Sequence, residues 1–369
     1  MYRDTWMEVD LDAIASNFRE IKKICGKKMI AVLKANAYGS GDIYVADTVL
    51  EAGAEMIAVS SLDEALIFRN EGYTGEILIL GAVPAQFIPT LIRHNISVNA
   101  YSRKWAEEAA AKGCRGLKVH LKVDTGMNRL GFKECPDLKE GFDILQKAGC
   151  RMEGIFTHFC CADTDPQLTQ AQFERFREAV EYLAYDFPWI HCDNSDATIW
   201  FKDDLSNACR LGISMYGISG FKKDLQHPLS LWSKISMVKT VRKGETIGYG
   251  ATYTADSDQI IATLPIGYAD GFIRANQGRK VYAGGQYAEI VGRVCMDQCM
   301  IRLDSFLPEG TEAEIFGPHI SLEEMAEDLH TIPYEIICLI SSRVTRKYIR
   351  DGKKYDEENT RMVRSRITK

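Results

Sequence analysis

A short apolar run, Ala31-Val32-Leu33, ends in Lys34, and the small-residue turn Ala35-Asn36-Ala37-Tyr38-Gly39-Ser40-Gly41 follows it. A lysine that closes a buried strand holds its ammonium where water is scarce. Burial disfavours the charged form and frees the amine. A free amine is what a Schiff-base lysine requires. A strand-end lysine can also lay its stem along the surface and keep its head in water, so Lys34 gains weight only from partners elsewhere. Arg210 opens a later apolar run; a buried arginine is usually an ion-pair partner. Asn194-Ser195 place a hydroxyl and amides at an expected helix start, and Gly212-Ile213-Ser214 supply backbone amides after Arg210. Helix starts and small-residue turns attract anions, although a serine in such a place is commonly only an N-cap. His158 reads equally as a satisfied core histidine, and Tyr249, between Gly248 and Gly250, as a packing residue at a turn.

Taken together, these residues form a set. A Schiff-base lysine needs a carbonyl cofactor. Pyridoxal phosphate (PLP) needs a phosphate cradle, a partner for its pyridine nitrogen and support for its ring. Ser195, Gly212, Ile213 and the Tyr38 phenol are candidates for the cradle. Arg210 is a candidate for the nitrogen. An always-charged donor there disfavours protonation of the ring and weakens it as an electron sink, so a carbanion beside it is reprotonated quickly. His158 would lie over the ring or relay a proton. A phenol holds its proton at neutral pH, so Tyr249 as an acid/base would need a hydrogen-bonded base such as His158.

The elements that must position these residues alternate. Apolar, β-branched runs fall at 30–34, 56–60, 76–80, 96–100, 118–124, 151–157, 189–193 and 210–215, with helix-period stretches between most of them. Ile14, Phe18 and Ile21 share one face, Ser61 and Glu64 have capping-box spacing, and 167–185 reads as one long helix. Eight strand–helix units over about 200 residues predict a (β/α)8 TIM barrel, an α/β fold whose site lies at the C-terminal strand ends. Lys34, Asp124, His158, Asn194 and Arg210 all fall at or near such ends. Beyond about residue 230 short strands punctuated by Gly, Asp and Pro predict a mainly antiparallel C-terminal β domain, interrupted by one helix near 321–329. The expected division is a PLP-binding barrel over 12–228 and a β domain built from 229–369 with the N-terminal strand, residues 1–11. The charged residues from Lys353 read as a frayed tail.

The chain has 369 residues, 46% hydrophobic and 26% charged, with a net charge of -6. An acidic balance argues against a nucleic-acid binder. No apolar run reaches membrane-spanning length, and Met1–Trp6 offers no signal-peptide core, so a cytoplasmic protein without a membrane partner is expected. The 11 cysteines are odd in number, which suits free thiols in a reducing compartment. Cys160-Cys161 and Cys295…Cys299 lack zinc-site spacing, so no metal and no disulfide are expected.

The chain resembles the alanine racemases, fold-type III PLP enzymes, over nearly its whole length. The resemblance is carried by Trp6–Ile14, Ala31–Gly41, His120–Gly131, Thr157-His158-Phe159, Asn194-Ser195, Arg210–Gly217, Tyr249–Thr254, Pro265–Gly271 and Gly292–Gln298. It implies that Lys34 holds PLP and acts on the D-enantiomer's α-proton. It implies that Tyr249, arriving from the other subunit of a homodimer, acts on the L-enantiomer. Arg210, with His191 behind it, matches the pyridine partner. Tyr38, Ser195, Gly212 and Ile213 match the phosphate cradle, with Asn194 beside them. Arg129 matches the residue that pairs with the substrate carboxylate, helped by the amide of Met296; Asp297 and Tyr268 complete the substrate side. Lys122 aligns with a lysine often carbamylated in the family, where it orients Arg129. Arg274, Arg293, Tyr268 and Asp163 resemble the lining of the access channel. The implied product is D-amino acid for cell-wall peptide.

The chain departs from the family at three places. Ser40 replaces a histidine, Asn128 stands where glycine is common, and Ser342 replaces a tyrosine that narrows the pocket and touches the cofactor phosphate. The third removes a ring from the site, so a serine or broad-specificity racemase is the alternative to alanine. A non-catalytic PLP carrier lacks the β domain and its tyrosine, and a fold-type III decarboxylase fits the Tyr249 and Arg129 segments poorly.

Overall fold

In a computed structural model the described residues are 3–359. The chain divides into two compact units. One comprises the N-terminal stretch through Ala13, the segment Tyr38–Gly41 and the chain from His227; the other comprises Ile14–Ala37 and Asp42–Gln226. Strand β1 (Thr5–Asp10) belongs to the first. The second is a closed barrel of β2 (Lys28–Val32), β3 (Met56–Val59), β4 (Ile77–Ile79), β5 (Ser97–Ala100), β6 (Lys118–Lys122), β7 (Arg151–Phe156), β8 (Trp189–His191) and β9 (Ala208–Leu211). The strands pair in chain order, all parallel, and β9 returns to β2. Strands covered on both faces need apolar residues at successive positions, and Ile57, Ala58, Ile77 and Leu78 are fully buried.

Most strands are shorter than their apolar runs. Runs 30–34, 118–124, 151–157 and 189–193 leave the ladder before their last residues. The site candidates therefore stand just beyond the strand ends, where the loops of this fold carry chemistry. Arg210 is an exception. It is the third residue of β9, not its opening one, because pairing with β2 begins at Ala208. The helix Leu11–Cys25 buries Ile14, Phe18 and Ile21 completely. The long helix runs Pro166–Leu183; Asp165 caps it by accepting from the Leu168 amide, and Ala184 ends it in a left-handed conformation.

The other unit is a ten-stranded sheet. It contains β1 and, in chain order, β10 (Leu229–Lys234), β11 (Met237–Val241), β14 (Gln259–Leu264), β15 (Lys280–Ala283), β16 (Gln286–Val291), β17 (Cys299–Leu303), β18 (Glu312–Phe316), β19 (Thr345–Arg350) and β20 (Lys353–Glu358). Its order is β11-β14-β17-β16-β15-β18-β10-β1-β19-β20, and β12 (Thr246–Ile247) and β13 (Tyr253–Thr254) form a separate hairpin. Only the β1–β19 pairing is parallel among those described. The expected fray from Lys353 is corrected. Lys353–Glu358 pairs with β19 as an edge strand, a position where charged side chains are tolerated because one edge faces water. The tail from 360 lies outside the described residues.

Candidate active site

Lys34 does not close β2. It opens a turn in which Ala35, Asn36, Ala37 and Tyr38 have φ of 55, 56, 50 and 56 degrees. Each non-glycine residue in this left-handed region costs about 1–2 kcal/mol, so the turn needs holding from outside. The Ala37 amide donates to the Leu33 carbonyl at 3.0 Å, and the Tyr216 hydroxyl donates to the Ala37 carbonyl at 2.7 Å. Asn36 Oδ1 accepts from the Asp42 amide at 3.0 Å. Glu64 Oε1 accepts from the Ala35 amide at 2.8 Å, while its Oε2 accepts from the Ser60 amide at 2.7 Å. The capping box expected at Ser61 and Glu64 is thus half made. Ser61 Oγ accepts from the Glu64 amide, but the Glu64 carboxylate ties the lysine turn instead of closing the box. Within the sheet-bearing unit, a side chain at Gly39 would strike the Ile337 carbonyl and one at Gly41 the Tyr348 hydroxyl, which is why glycine stands at both.

Around the mouth of the barrel unit positive charge gathers, and the Arg210 guanidinium is hydrogen-bonded to carbonyls and imidazoles, not to a carboxylate. Arg210 is buried and donates through one terminal nitrogen to His191 Nδ1 (2.8 Å) and the His191 carbonyl (3.0 Å). Through the other it donates to the Thr157 and Cys192 carbonyls (2.8 and 2.9 Å) and to His158 Nδ1 (3.2 Å). Its Nε–H makes no hydrogen bond to the described residues. Because guanidinium only donates, Nδ1 of both histidines must carry a lone pair. Their protons therefore sit on Nε2 when the rings are neutral. His191 Nε2 lies 3.0 Å from His120 Nδ1, so it donates there, and His120 carries its own proton on Nε2, which is buried without a partner among the described residues. Burial, then the neighbouring cations, keep all three rings neutral: His120 is pushed down to about 3, and His158 and His191 well below the usual range. His158 therefore presents a donor, and the expectation of a histidine base beside Tyr249 is corrected on this point.

The cations pushing on His158 are Arg210, Arg129, Lys122 and Lys34. Sequence spacing could not show this convergence, since the four come from three strand regions far apart in the chain: Lys34 after β2, Lys122 and Arg129 at and just after the end of β6, and Arg210 in β9. Phe156 was not anticipated either. Its ring stacks on His191 at 4.8 Å, with Arg210 Cζ and Lys122 Nζ 5.6 and 5.4 Å from its centroid. An aromatic face thus stands where an ion pair was the ordinary expectation. Burial first, and Arg210 next, push the Lys122 amine down to about 7. Asp124 Oδ1 accepts from the Gly126 and Asn128 amides at 3.1 and 3.0 Å and folds the loop that carries the exposed Arg129. Asn128, at φ 56, is left-handed, a conformation asparagine tolerates, and its side chain donates to the Gly126 carbonyl. Its replacement of glycine is thereby explained.

On the expected phosphate side, Asn194 caps the helix Ser195–Trp200 by accepting from the Ala197 amide. Ser195 Oγ accepts from the Gly212 amide at 2.9 Å. Ile213 begins the turn that follows Gly212, and Ser214 Oγ is buried without a hydrogen bond. In the sheet-bearing unit, Tyr38 is buried edge-on to Tyr334, with ring centroids 6.3 Å apart. Tyr268, Met296, Asp297 and Ser342 converge there. The Tyr268 amide donates to the Cys295 carbonyl, the Ala269 amide to the Met296 carbonyl at 3.0 Å, and Arg343, next to Ser342, to Asp297 at 2.6 Å. Buried Asp270, which sequence reasoning quoted only as part of a motif, organises them through Arg3 and Arg343. Tyr249 stands on a turn of left-handed glycines backed by Arg293, and it is 72% exposed.

Two family descriptions match this chain: "Alanine racemase, N-terminal domain" over residues 9–220 and "Alanine racemase, C-terminal domain" over 229–348. The chain belongs to the alanine racemase family. It is 42% identical over 367 residues to "Alanine racemase 1" of Bacillus subtilis (strain 168), covering 95% of this chain and 94% of that one. It is 44% identical over 369 residues to "Alanine racemase" of Anoxybacillus flavithermus, covering 95% and 96%. The crystal structure of alanine racemase from Bacillus anthracis with bound L-Ala-P superposes with a TM-score of 0.95 at 39% identity, covering 98% of this chain and 99% of that one. Alanine racemases are PLP-dependent isomerases. None of these relatives supports the serine or broad-specificity reading of Ser342, which is set aside, and the carrier and decarboxylase readings are not favoured. Among the described residues, no helix is long and apolar enough to cross a membrane.

Proposed function

We propose that this chain interconverts L- and D-alanine with PLP in a homodimer whose two sites are each shared between subunits. The observation that carries the reading is Arg210: a buried cation with both terminal nitrogens hydrogen-bonded to carbonyls and imidazoles and its Nε–H unused among the described residues. That donor set fits a pyridine nitrogen. The Ser195 hydroxyl and the Gly212 and Ile213 amides, with Asn194, Tyr38 and Ser342, would hold the phosphate, and the buried, unbonded Ser214 hydroxyl marks polar capacity beside them. When bound, PLP draws electrons from the amino acid and makes its α-hydrogen acidic.

The remaining work falls to the chain. Arg210, an always-charged donor, would face the pyridine nitrogen and disfavour its protonation, which would make the bound ring a weaker electron sink. The Lys34 amine moves the proton on one face. The Tyr249 phenol of the second subunit moves it on the other, and His158 Nε2–H steadies the tyrosine oxygen while it lacks its proton. Two bases on opposite faces are what inversion demands. Arg129 and the Met296 amide hold the substrate carboxylate, with Asp297 and Tyr268 bordering it. The neutral fraction of Lys122 adds carbon dioxide at Nζ and releases a proton, which places an anion beside Arg129 and removes a cation from its neighbours. D-alanine is then available to the ligation reactions that build wall peptide.

Mixing inactive subunits tests the shared site. Lys34→Ala and Tyr249→Phe dimers are each expected to lose nearly all racemisation. After dissociation and reassociation together, half the dimers are mixed and each carries one intact site, so about a quarter of wild-type activity should return. Mixed dimers detected by mass without recovered activity would overturn the shared-site reading.

A further inference from the structure

We infer that Cys160 and Cys161 form a vicinal dithiol site that takes a trivalent organoarsenical as a two-sulfur chelate. Their sulfurs lie 3.4 Å apart, on adjacent residues of the loop that follows β7. Cys160 is exposed and Cys161 half-buried. A disulfide needs about 2.05 Å, so the pair is not set for a direct bond. Two sulfur legs of about 2.3 Å meet across 3.4 Å at an angle of about 95 degrees. That is the geometry of a pyramidal centre with three bonds and a lone pair. A tetrahedral zinc ion would want the sulfurs about 3.8 Å apart and further ligands. Among the described residues, no other histidine, cysteine or carboxylate joins this pair; the one ligand-like cluster is Cys192, Asp193 and Asp203, and Lys27 already pairs with both of its carboxylates.

The pair is held ready. The Thr164 and Asp165 amides donate to the Cys161 carbonyl at 3.1 and 2.8 Å, and the Cys160 amide donates to Gln172 Oε1 at 3.0 Å. Once one sulfur has bound, the second acts intramolecularly, which multiplies affinity without new contacts. Burial and the adjoining thiol push Cys161 up to about 11, so it reacts as a thiol. The step balances on that basis. An arsenoxide, R–As=O, meets two S–H groups; two As–S bonds form, the As=O bond breaks, both protons leave with the oxygen as water, and arsenic stays trivalent.

Occupancy also reaches the barrel. Cys160 Sγ donates to Gln172 Oε1 at 3.3 Å, Gln172 Nε2 donates to Thr125 Oγ1 at 3.2 Å, and Thr125 Oγ1 bonds Thr157 Oγ1 at 2.8 Å. Thr157 directly precedes His158, and its carbonyl accepts from Arg210. Drawing Cys160 onto arsenic takes the sulfur's bond from Gln172 Oε1 and leaves that oxygen to the Cys160 amide alone. The effect on turnover rests on the proposed function; the binding does not.

The test uses phenylarsine oxide on the full-length protein. Intact mass is expected to show one phenylarsenic group per chain in place of two hydrogens, mapping to the peptide with Cys160 and Cys161. A dithiol should remove it and a monothiol should not. Cys160→Ser and Cys161→Ser should each weaken binding by about 100-fold or more, whereas Cys338→Ser, which changes an exposed single thiol, should not. No adduct, an adduct elsewhere, or full binding by both serine variants would overturn the site. An adduct at the pair should also cut racemisation at least tenfold. Unchanged turnover with the adduct in place would overturn the link through Gln172 and leave the mass result standing.

Discussion

Arg210 holds two imidazoles as acceptors, and a third follows from their tautomers. The rings of His191, His158 and His120 are thereby committed to the neutral state. In the unfolded chain they protonate near pH 6.5. The folded value of His120 is about 3, so between these limits the unfolded state binds more protons and stability falls as the pH drops. The slope is about 1.4 kcal/mol per pH unit for each such histidine. His120→Asn keeps an acceptor for His191 and removes one titration; urea unfolding below pH 6.5 should show a pH slope shallower by one proton, and an unchanged slope would count against the burial argument. Arg210→Lys keeps charge but loses the planar fork. It would leave the carbonyls of Thr157, His191 and Cys192 short of donors, and a loss of about 3 kcal/mol is expected in denaturant unfolding, with racemisation down at least ~100-fold.

At the scale of the element, the lysine turn is the part that sequence propensity misreads. Its residues look like a strand end followed by a glycine turn, and four left-handed non-glycine residues in succession are not signalled by composition. They persist because Glu64, Asp42, Tyr216 and Leu33 bond the turn from outside it. Exposed Ala35 tests this. Ala→Gly in an ordinary helix costs about 1 kcal/mol, but at a left-handed position glycine is the relaxed residue. Ala35→Gly should therefore leave stability unchanged or raise it by about 1 kcal/mol. A loss of that size would show that the turn is not left-handed. Glu64→Gln would aim an amide N–H at one of the two backbone donors. It should cost about 1–3 kcal/mol and raise KM or lower kcat through Lys34, without altering substrate choice. The barrel strands themselves were legible because doubly covered strands must be continuously apolar, and the edge strand β20 was not, because an edge accepts the same charges as a solvated tail.

At the scale of the whole molecule, Tyr249 carries the argument for assembly. A tyrosine 72% exposed on a turn flanked by glycines has an apolar ring left largely uncovered by the described residues. Burial of such a ring stabilises by about 1.5–3 kcal/mol, which a second subunit would supply. Specific activity should therefore fall on dilution and recover on concentration, in step with the dimer fraction from sedimentation. Activity that survives into a monomeric range would contradict the shared site. By itself the sequence determined the barrel, the β domain and the motif residues, because strand periodicity and glycine-punctuated motifs are local properties. Tertiary structure alone decided the rest: which histidine nitrogens carry protons, that the cations meet around His158 beside the Phe156 ring, and that the Lys34 turn is left-handed. Those depend on donors brought together across strands far apart in the chain, and no spacing along one strand records what faces it from another.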